Sequence, residues 1–279
     1  MLVFRKFLRD VSAVIGLVIV LLTAVVALFA PWLAPKPLDA HESHPLLRLK
    51  PPSAEAPFGT DNLGRDVFSR VILGSRAALT VAVLVVSGAM LIGVPLGLVA
   101  GYRSGWVSET LMRITDVFLA VPQLILALAL AQLLGPSLKN AMVALTLTYW
   151  PFFARIVYAE TRRLKTSVFV EALQGLNASS FRIMFAHILP NAAPPIIVRA
   201  TIGMGFTILT AAVLGFLGMG ATPPDPEWGL AVSESRQYLP DAWWFATFPG
   251  LAIFLVVFGF NLLGDGLRDV IDPRLRRSR

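Results

Sequence analysis

The sequence predicts an all-α membrane protein with six transmembrane helices. Of its 279 residues, 56% are hydrophobic and only 15% are charged, and the mean hydropathy is +0.71. Soluble domains carry about 45–50% apolar and about 25% charged residues, so this composition is suited to lipid. The net charge of +7 would favour nucleic acid in a polar chain, but in a membrane chain it is typical of the Lys and Arg that set orientation. Soluble domains, disordered tails and nucleic-acid binders are therefore not the leading interpretations.

Six stretches are long and apolar enough to cross a bilayer, which needs about 20 residues. Five contain no Asp, Glu, Lys or Arg, and the remaining one meets Arg155 after fifteen uncharged residues. The first stretch follows basic residues as a signal peptide would, but its apolar run is longer than the about 7–15 residues of a signal, and we expect a retained helix. The predicted spans are 11–35, 77–102, 117–138, 140–158, 200–224 and 242–264.

An even number of spans places both termini on the same side of the membrane, and the positive-inside rule selects that side. The predicted inside segments are rich in Lys and Arg, whereas the two short outside connections carry only Lys139 and Arg236. We therefore expect both termini in the cytoplasm. The inside cations are Arg5, Lys6, Arg9, Arg103, Arg113, Arg155, Arg162, Arg163, Lys165, Arg182, Arg268, Arg274, Arg276, Arg277 and Arg279.

The chain divides into two parts. Residues 1–76 would hold the cytoplasmic N-terminus, the first helix and an external loop, and residues 77–279 a five-helix core with a cytoplasmic loop at 159–190. The external residues 36–76 are rich in proline and are not expected to be regular before Asp66. From Asp66 onward the apolar spacing predicts a short interfacial helix that leads into the second span.

A glycine stripe marks the second span. Gly93, Gly97 and Gly101 repeat every four residues, so another helix can approach that face closely. Close packing is the structural interpretation. The functional one, compatible with it, is that such helices, which also contain proline, let a bundle rock.

Three ionisable residues lie near the ends of predicted spans: Asp116, Arg155 and Arg199. Charged groups at membrane depth are costly and are functional candidates by default. At these depths, ion pairing or interfacial placement is the favoured interpretation, and a proton or substrate relay is the alternative.

The sequence offers little catalytic chemistry. It has no Gly-x4-Gly-Lys-Ser/Thr phosphate loop, so any ATP hydrolysis in the P-loop manner must come from another chain. It has no cysteine, which excludes disulfides and thiolate metal sites. His41, Glu42 and His44 lie close together, but without a metal-binding spacing a solvated loop is favoured over a metal site.

Residues 167–191 form the most informative polar segment and read SVFVEALQGLNASSFRIMFAHILPN. Helix-forming runs alternate with turn-prone residues such as Gly175 and Asn177, which predicts two short helices with a break. The prolines at the end of the segment are expected to terminate this unit and to start the next span. An amphipathic pair of this kind suits a membrane-surface element or a docking site for a cytoplasmic partner. Glu171 and the small Ala172 favour docking, because a segment that enters a cleft needs compact residues.

This segment resembles the EAA loop of ABC-importer permeases, whose pattern is Glu-Ala-Ala, three residues, Gly, nine residues, Ile, any residue, Leu-Pro. Asparagine tolerates a left-handed backbone better than most residues, so we expect the break to survive the loss of glycine, with Gly175 sharing the turn. The resemblance implies that the segment is seated in a groove of a partner ATPase. Glu171, Ala172, Leu189 and Pro190 match the pattern, and Leu173, Asn177 and His187 replace its second Ala, its Gly and its Ile.

Three longer motifs are similar to the C-type permease subunit of the dipeptide, oligopeptide and nickel importers. They are PFGTDNLGRDVFSR at 57–70, PPDPEWG at 223–229 and NLLGDGLRDVIDPR at 261–274. The resemblance implies the type I ABC-importer permease fold, with a first helix that wraps a B-type partner permease and a five-helix core. It also implies two ATPase subunits that bind ATP and Mg, a periplasmic or extracellular substrate-binding protein, and a multi-pass location in the bacterial inner membrane. The chain itself would hold no cofactor and no catalytic residue.

The external FGTDNLGRD segment has two interpretations. Asp61, Arg65 and Asp66 could fold the loop back on the bundle through their own ion pairs. Alternatively, these residues together with Phe58 and Gly59 could contact the substrate-binding protein.

Other classes of function remain open at this point. A secondary transporter should show inverted repeats or ionisable residues at mid-span, and neither is found in the sequence. An intramembrane enzyme needs catalytic groups at depth, and an ABC exporter half would carry a fused ATPase. The substrate is open as well, because peptide, nickel-chelate and glutathione importers share this type of permease.

Overall fold

The computed structural model describes residues 7, 8, 10–37 and 42–271, and regular structure in these residues is helical. Five helices are long and apolar enough to cross a membrane, and a bent pair makes six. The prediction of an all-α membrane protein with six spans is therefore confirmed for the described part of the chain. The helices are α1 (Val11–Leu33), α2 (Val67–Tyr102), α3 (Trp106–Ala120), α4 (Gln123–Leu134), α5 (Leu138–Lys165), α6 (Val168–Gly175), α7 (Ser180–Phe216), α8 (Trp228–Ser235) and α9 (Trp243–Ile271).

The second span begins ten residues earlier than predicted. Asp66 caps α2 by accepting a hydrogen bond from the backbone N–H of Ser69 at 2.8 Å, so the predicted interfacial helix and the span are one helix of 36 residues. At a rise of about 1.5 Å per residue this helix is about 54 Å long, whereas the hydrocarbon core is about 30 Å thick. One end of α2 must therefore project beyond the lipid.

The third span, predicted at 117–138, is a bent pair of helices that begins at Trp106 and ends at Leu134. α3 and α4 meet at an angle of 88°. Val121, between them, is extended with φ of −92° and ψ of 131°. Pro122 causes this, because its ring disfavours a helical backbone at the preceding residue.

The predicted break between the cytoplasmic segment and the fifth span is also absent. α7 runs without interruption from Ser180 to Phe216 and includes all three prolines, Pro190, Pro194 and Pro195. A π-helical turn at Ile183–Ile188 precedes them. For Pro190 the carbonyl four residues earlier belongs to Ala186, inside this turn, and the wider helix there relieves its contact with the proline ring.

The glycine stripe of α2 packs directly on α5, which confirms the prediction of close helix approach. A Cβ atom at Gly93, Gly97 or Gly101 would lie within 3.0 Å of the facing helix, where backbone oxygens of Trp150 and Ala154 already stand. A similar contact at Gly16 joins α1 to α9. The opposite surface of α1 exposes large apolar side chains, as expected for a helix against lipid or a partner helix.

Seven of the basic residues on which the predicted orientation rests lie outside the described residues. These are Arg5, Lys6, Arg9, Arg274, Arg276, Arg277 and Arg279.

Candidate functional site

The predicted docking segment consists of α6, a tight turn and the first turns of α7. Asn177 adopts a left-handed backbone with φ of 53°, which confirms that asparagine can take the place of glycine at the break. Ser179 then caps α7 by accepting a hydrogen bond from the N–H of Arg182 at 3.3 Å. Gly175 is the last residue of α6 and is not among the residues with positive φ, so the left-handed turn does not draw on it.

One face of this segment is fixed to the helix bundle. Val170, Ile183 and Ile188 are 0–1% exposed and belong to the same apolar cluster as Phe153 and Leu164 of α5. Full burial of one such side chain contributes about 1.5–3 kcal/mol. The segment therefore moves together with α5 and α7 and is not a loose loop.

The opposite face is exposed, and we call it the docking face. It contains Glu171 and Ala172, together with Val168, Leu176 and Phe181, which are 81%, 79% and 69% exposed. These three apolar residues are not part of the sequence pattern that predicts the docking segment. Their signal was that large apolar residues occur in this polar segment beyond the single apolar face that a surface helix needs. Exposed apolar side chains grouped in this way mark a contact surface.

The other predicted docking residues lie beside this face. Leu173, His187 and Leu189 are half-buried, and Pro190 is exposed. Asn191 donates a side-chain hydrogen bond to the backbone oxygen of His187 at 2.7 Å. The structure thus brings all the matched positions to one end of the bundle.

The motif at 57–70 forms a buried ion network. Arg65 and Asp61 are fully buried, and their Nε and Oδ2 atoms are 2.6 Å apart. Nη2 of Arg65 lies 3.0 Å from Oε2 of Glu234, in the segment before the last span. Arg70 lies 3.5 Å from Asp61 and 4.0 Å from Glu234. Two cations and two carboxylates thereby compensate one another, as buried charges must.

The remaining residues of the motif also have structural partners. The ring of Phe58 stacks on that of Phe248 at 3.8 Å, and Asp66 caps α2. Gly59 has φ of 71°, and a Cβ atom there would meet the side chain of Trp244. This burial favours the fold-back interpretation. Contact of the motif with a binding protein stays a prediction, and the side chains of Asp61, Arg65 and Asp66 present little surface for it.

The segment between the last two spans closes over α2 and α7. Trp228 donates its indole N–H to the backbone oxygen of Val71 at 2.9 Å. Glu227 caps α8 by accepting from the N–H groups of Gly229 and Leu230 at 2.8 and 2.7 Å. Burial raises the pKa of the Glu227 carboxyl above its ordinary value, and this effect outweighs the opposing hydrogen bonds and the nearby Arg70.

The ionisable residues at the span ends have different environments. Asp116 and Arg155 form an ion pair, which confirms the pairing predicted for them. The guanidinium carbon of Arg199 instead lies over two aromatic rings, 4.7 Å from that of Phe152 and 5.4 Å from that of Tyr149. His41, which belongs to the metal site considered from the sequence, lies outside the described residues. Within the described residues we find no group of three metal-ligating side chains.

Comparison with known proteins identifies the family. Residues 93–277 match the family described as "Binding-protein-dependent transport system inner membrane component". Residues 1–52 match the "N-terminal TM domain of oligopeptide transport permease C". The two matches together account for most of the chain.

Several relatives are similar over nearly their whole length. The chain is 45% identical to the dipeptide transport system permease protein DppC of Alkalihalophilus pseudofirmus, covering 98% of this chain and 89% of the relative. It is 43% identical to the probable D,D-dipeptide transport system permease protein DdpC of Escherichia coli, covering 92% and 86%. It is 42% identical to the glutathione transport system permease protein GsiD of Pectobacterium atrosepticum, covering 98% and 90%.

The fold is shared with a solved transporter. A chain of the MetNI methionine ABC transporter, in an inward-facing conformation, superposes with a TM-score of 0.59 at 20% identity, covering 73% of this chain and 97% of that one. Together with the sequence relatives, this confirms the type I importer fold. The chain therefore belongs to the binding-protein-dependent transport system inner membrane components and is a C-type permease subunit of the dipeptide and oligopeptide ABC importers, a membrane subunit without enzymatic activity of its own.

Proposed function

We propose that this chain is one half of a heterodimeric permease that imports a dipeptide or a similar small peptide. Its other half is a B-type permease subunit, and an external binding protein delivers the solute. The names of two relatives, which refer to dipeptide and D,D-dipeptide transport, support this substrate class. Glutathione is the second candidate solute, because a relative named for it is 42% identical.

The proposed orientation places both termini and the docking face in the cytoplasm of a bacterial cell, with the chain in the inner membrane. Its support is the distribution of charge. The described connections on the docking side contain many Lys and Arg residues, whereas the short connections on the opposite side contain Lys139 and Arg236. The motif at 57–70 would then face outward.

The transport step that we propose depends on the docking face. ATP and Mg are bound by two partner ATPase subunits and not by this chain. The docking face would sit in a groove of one ATPase, and closure of the ATPase pair would displace α6 and the start of α7. Because α7 is continuous from Ser180 to Phe216, this displacement reaches the middle of the membrane. The bundle would thereby alternate between inward and outward openings.

The observation that carries this proposal is the two-sided character of the docking segment. Its rear face is buried in the core of the bundle, its front face is exposed and partly apolar, and it is continuous with a spanning helix. A segment with these three properties can transmit a displacement to the bundle, because its buried face is fixed to the bundle and its exposed face is available to a partner.

The experiment compares charge reversal on and off the docking face. Glu171→Lys should leave the chain inserted and assembled but abolish transport and the stimulation of ATPase activity by loaded binding protein. Glu109→Lys makes the same charge change at another exposed position, at the start of α3, and should retain both activities. Wild-type transport and stimulated ATPase rates in Glu171→Lys would refute the assignment of the docking segment.

A further inference from the structure

A cavity of about 540 Å³ lies between α5 and α7 and reaches the end of α9. Apolar side chains of Ile156, Val198 and Ile202 form part of its wall, and Arg199 lies among them. Glu160, Arg163 and Arg268 line the end that faces the docking segment. The volume is within the range of about 300–1,000 Å³ that small-molecule sites occupy in proteins.

Arg199 lies near the end of its span, just inside one boundary of the hydrocarbon layer. It is 17 residues from the opposite end of α7 at Phe216, which corresponds to about 25 Å along the helix, whereas the hydrocarbon core is about 30 Å thick. A cation at this depth is costly unless it has a partner or a function. The rings of Phe152 and Tyr149 stabilise the charge from one side only.

The guanidinium group retains capacity for a ligand. Within the described part of the chain, Arg199 forms no ion pair, and its buried Nε atom has no hydrogen-bond acceptor. At the mouth of the cavity the situation differs, because Glu160 binds Arg163 through two contacts of 2.7 and 2.9 Å. The charge of Arg163 is therefore compensated by Glu160, whereas Arg199 adds a positive charge to the cavity wall that no carboxylate of the described residues pairs.

We infer that this cavity is the cytoplasmic end of the solute path and that Arg199 binds the carboxylate of the solute as it passes. A guanidinium group offers a fork of N–H donors that matches a carboxylate, the group that every peptide with a free C-terminus carries. This inference rests on the proposed function, because it requires a solute with a carboxylate.

The placement of the cavity favours a solute over a lipid. Its two walls, α5 and α7, are the helices that the docking segment joins, so displacement of the docking face changes the shape of the cavity. A phospholipid phosphate has similar chemistry and is the competing occupant, since basic pockets between helices on the cytoplasmic side also bind anionic headgroups. The experiment must therefore separate the two.

The test uses thiol labelling, because the chain has no cysteine of its own. Val198→Cys places a single thiol in the cavity wall of the assembled complex in phosphatidylcholine vesicles. The measurement is the ratio of its labelling rates with a sulfonate and with a trimethylammonium methanethiosulfonate. Adding Arg199→Gln should lower this ratio about tenfold, because a nearby positive charge attracts one reagent and repels the other. Arg199→Lys should retain the ratio.

The matched control is Arg103→Gln, which removes an exposed cytoplasmic charge that does not line the cavity. It should leave the ratio unchanged. Millimolar dialanine should slow labelling of the Val198→Cys thiol, dialanine amide should not, and Arg199→Gln should abolish the protection.

Three results would overturn the inference: a ratio that does not depend on Arg199, a thiol that neither reagent reaches, or the absence of protection by dialanine. If phosphatidylglycerol in the vesicles slows labelling of the Val198→Cys thiol and dialanine does not, the site would be assigned to a lipid instead. The charge ratio is measured without transport, so failure of the inference leaves binding-protein-stimulated ATPase activity intact. Failure of the proposed function would remove that stimulation.

Discussion

Neutralising Arg65 should destabilise the part of the protein around the motif at 57–70. Arg65→Met keeps a long apolar stem but leaves Asp61 and Glu234 with one cation instead of two. Arg65 and Asp61 are fully buried, and the lost contacts are the 2.6 and 3.0 Å pairs. Breaking a buried ion pair from one side costs about 3–5 kcal/mol. Arg70 remains 3.5 Å from Asp61, so we expect a loss near the lower end, about 3 kcal/mol.

Denaturant titration of the purified chain in detergent, followed by tryptophan fluorescence, measures this loss. Arg76→Met is the matched control, because Arg76 is exposed, and it should change the free energy of unfolding by less than about 0.5 kcal/mol. Adding Glu234→Gln to Arg65→Met should cost less than the sum of the single variants, because the uncompensated carboxylate is removed as well. A loss of unfolding free energy no larger than that of Arg76→Met would refute the conclusion that the buried ion network stabilises the fold.

Three further predictions concern packing, backbone and pH. Gly97→Ala should destabilise the chain by about 1–3 kcal/mol in the same titration, because its Cβ would collide with the backbone of Ala154, whereas Gly250→Ala, in open space, should not. Asn177→Val should speed proteolysis at the α6–α7 turn by raising the left-handed backbone energy about 1–2 kcal/mol, and Asn177→Gly should not. Stability should fall as pH rises from about 4.5 through the raised folded pKa of Glu227, because the folded state holds that proton more tightly, and Glu227→Gln should remove this fall.

The spans and the docking segment could be predicted from local sequence. Apolar runs and charge counts are properties of contiguous residues, and so is the spacing from Glu171 to Pro190. The left-handed break at Asn177 followed from the backbone preference of a single residue type. These features need no knowledge of what packs against them.

The features that were missed depend on distant or competing interactions. The pair of Arg65 and Glu234 joins residues 169 positions apart, which no local pattern reveals. Ile183 and Ile188, which lie in the π turn before Pro190, pack in the core, and this packing opposes the helix-breaking tendency of proline in α7. Proline does break the helix of the third span at Pro122, because neighbouring residues on both sides of it are exposed and their packing does not oppose the break.

In the transport mechanism that we propose, a partner ATPase covers the docking face. Leu176→Cys creates a single thiol on this face, where the native side chain is 79% exposed. Its labelling by a bulky maleimide is measured in detergent before and after assembly with the ATPase subunits, with Glu55→Cys at an exposed external position as the control. We expect assembly to slow labelling of Leu176→Cys by at least about tenfold, since interface cores exclude solvent, and to leave labelling of Glu55→Cys unchanged. Equal labelling of Leu176→Cys before and after assembly would contradict it.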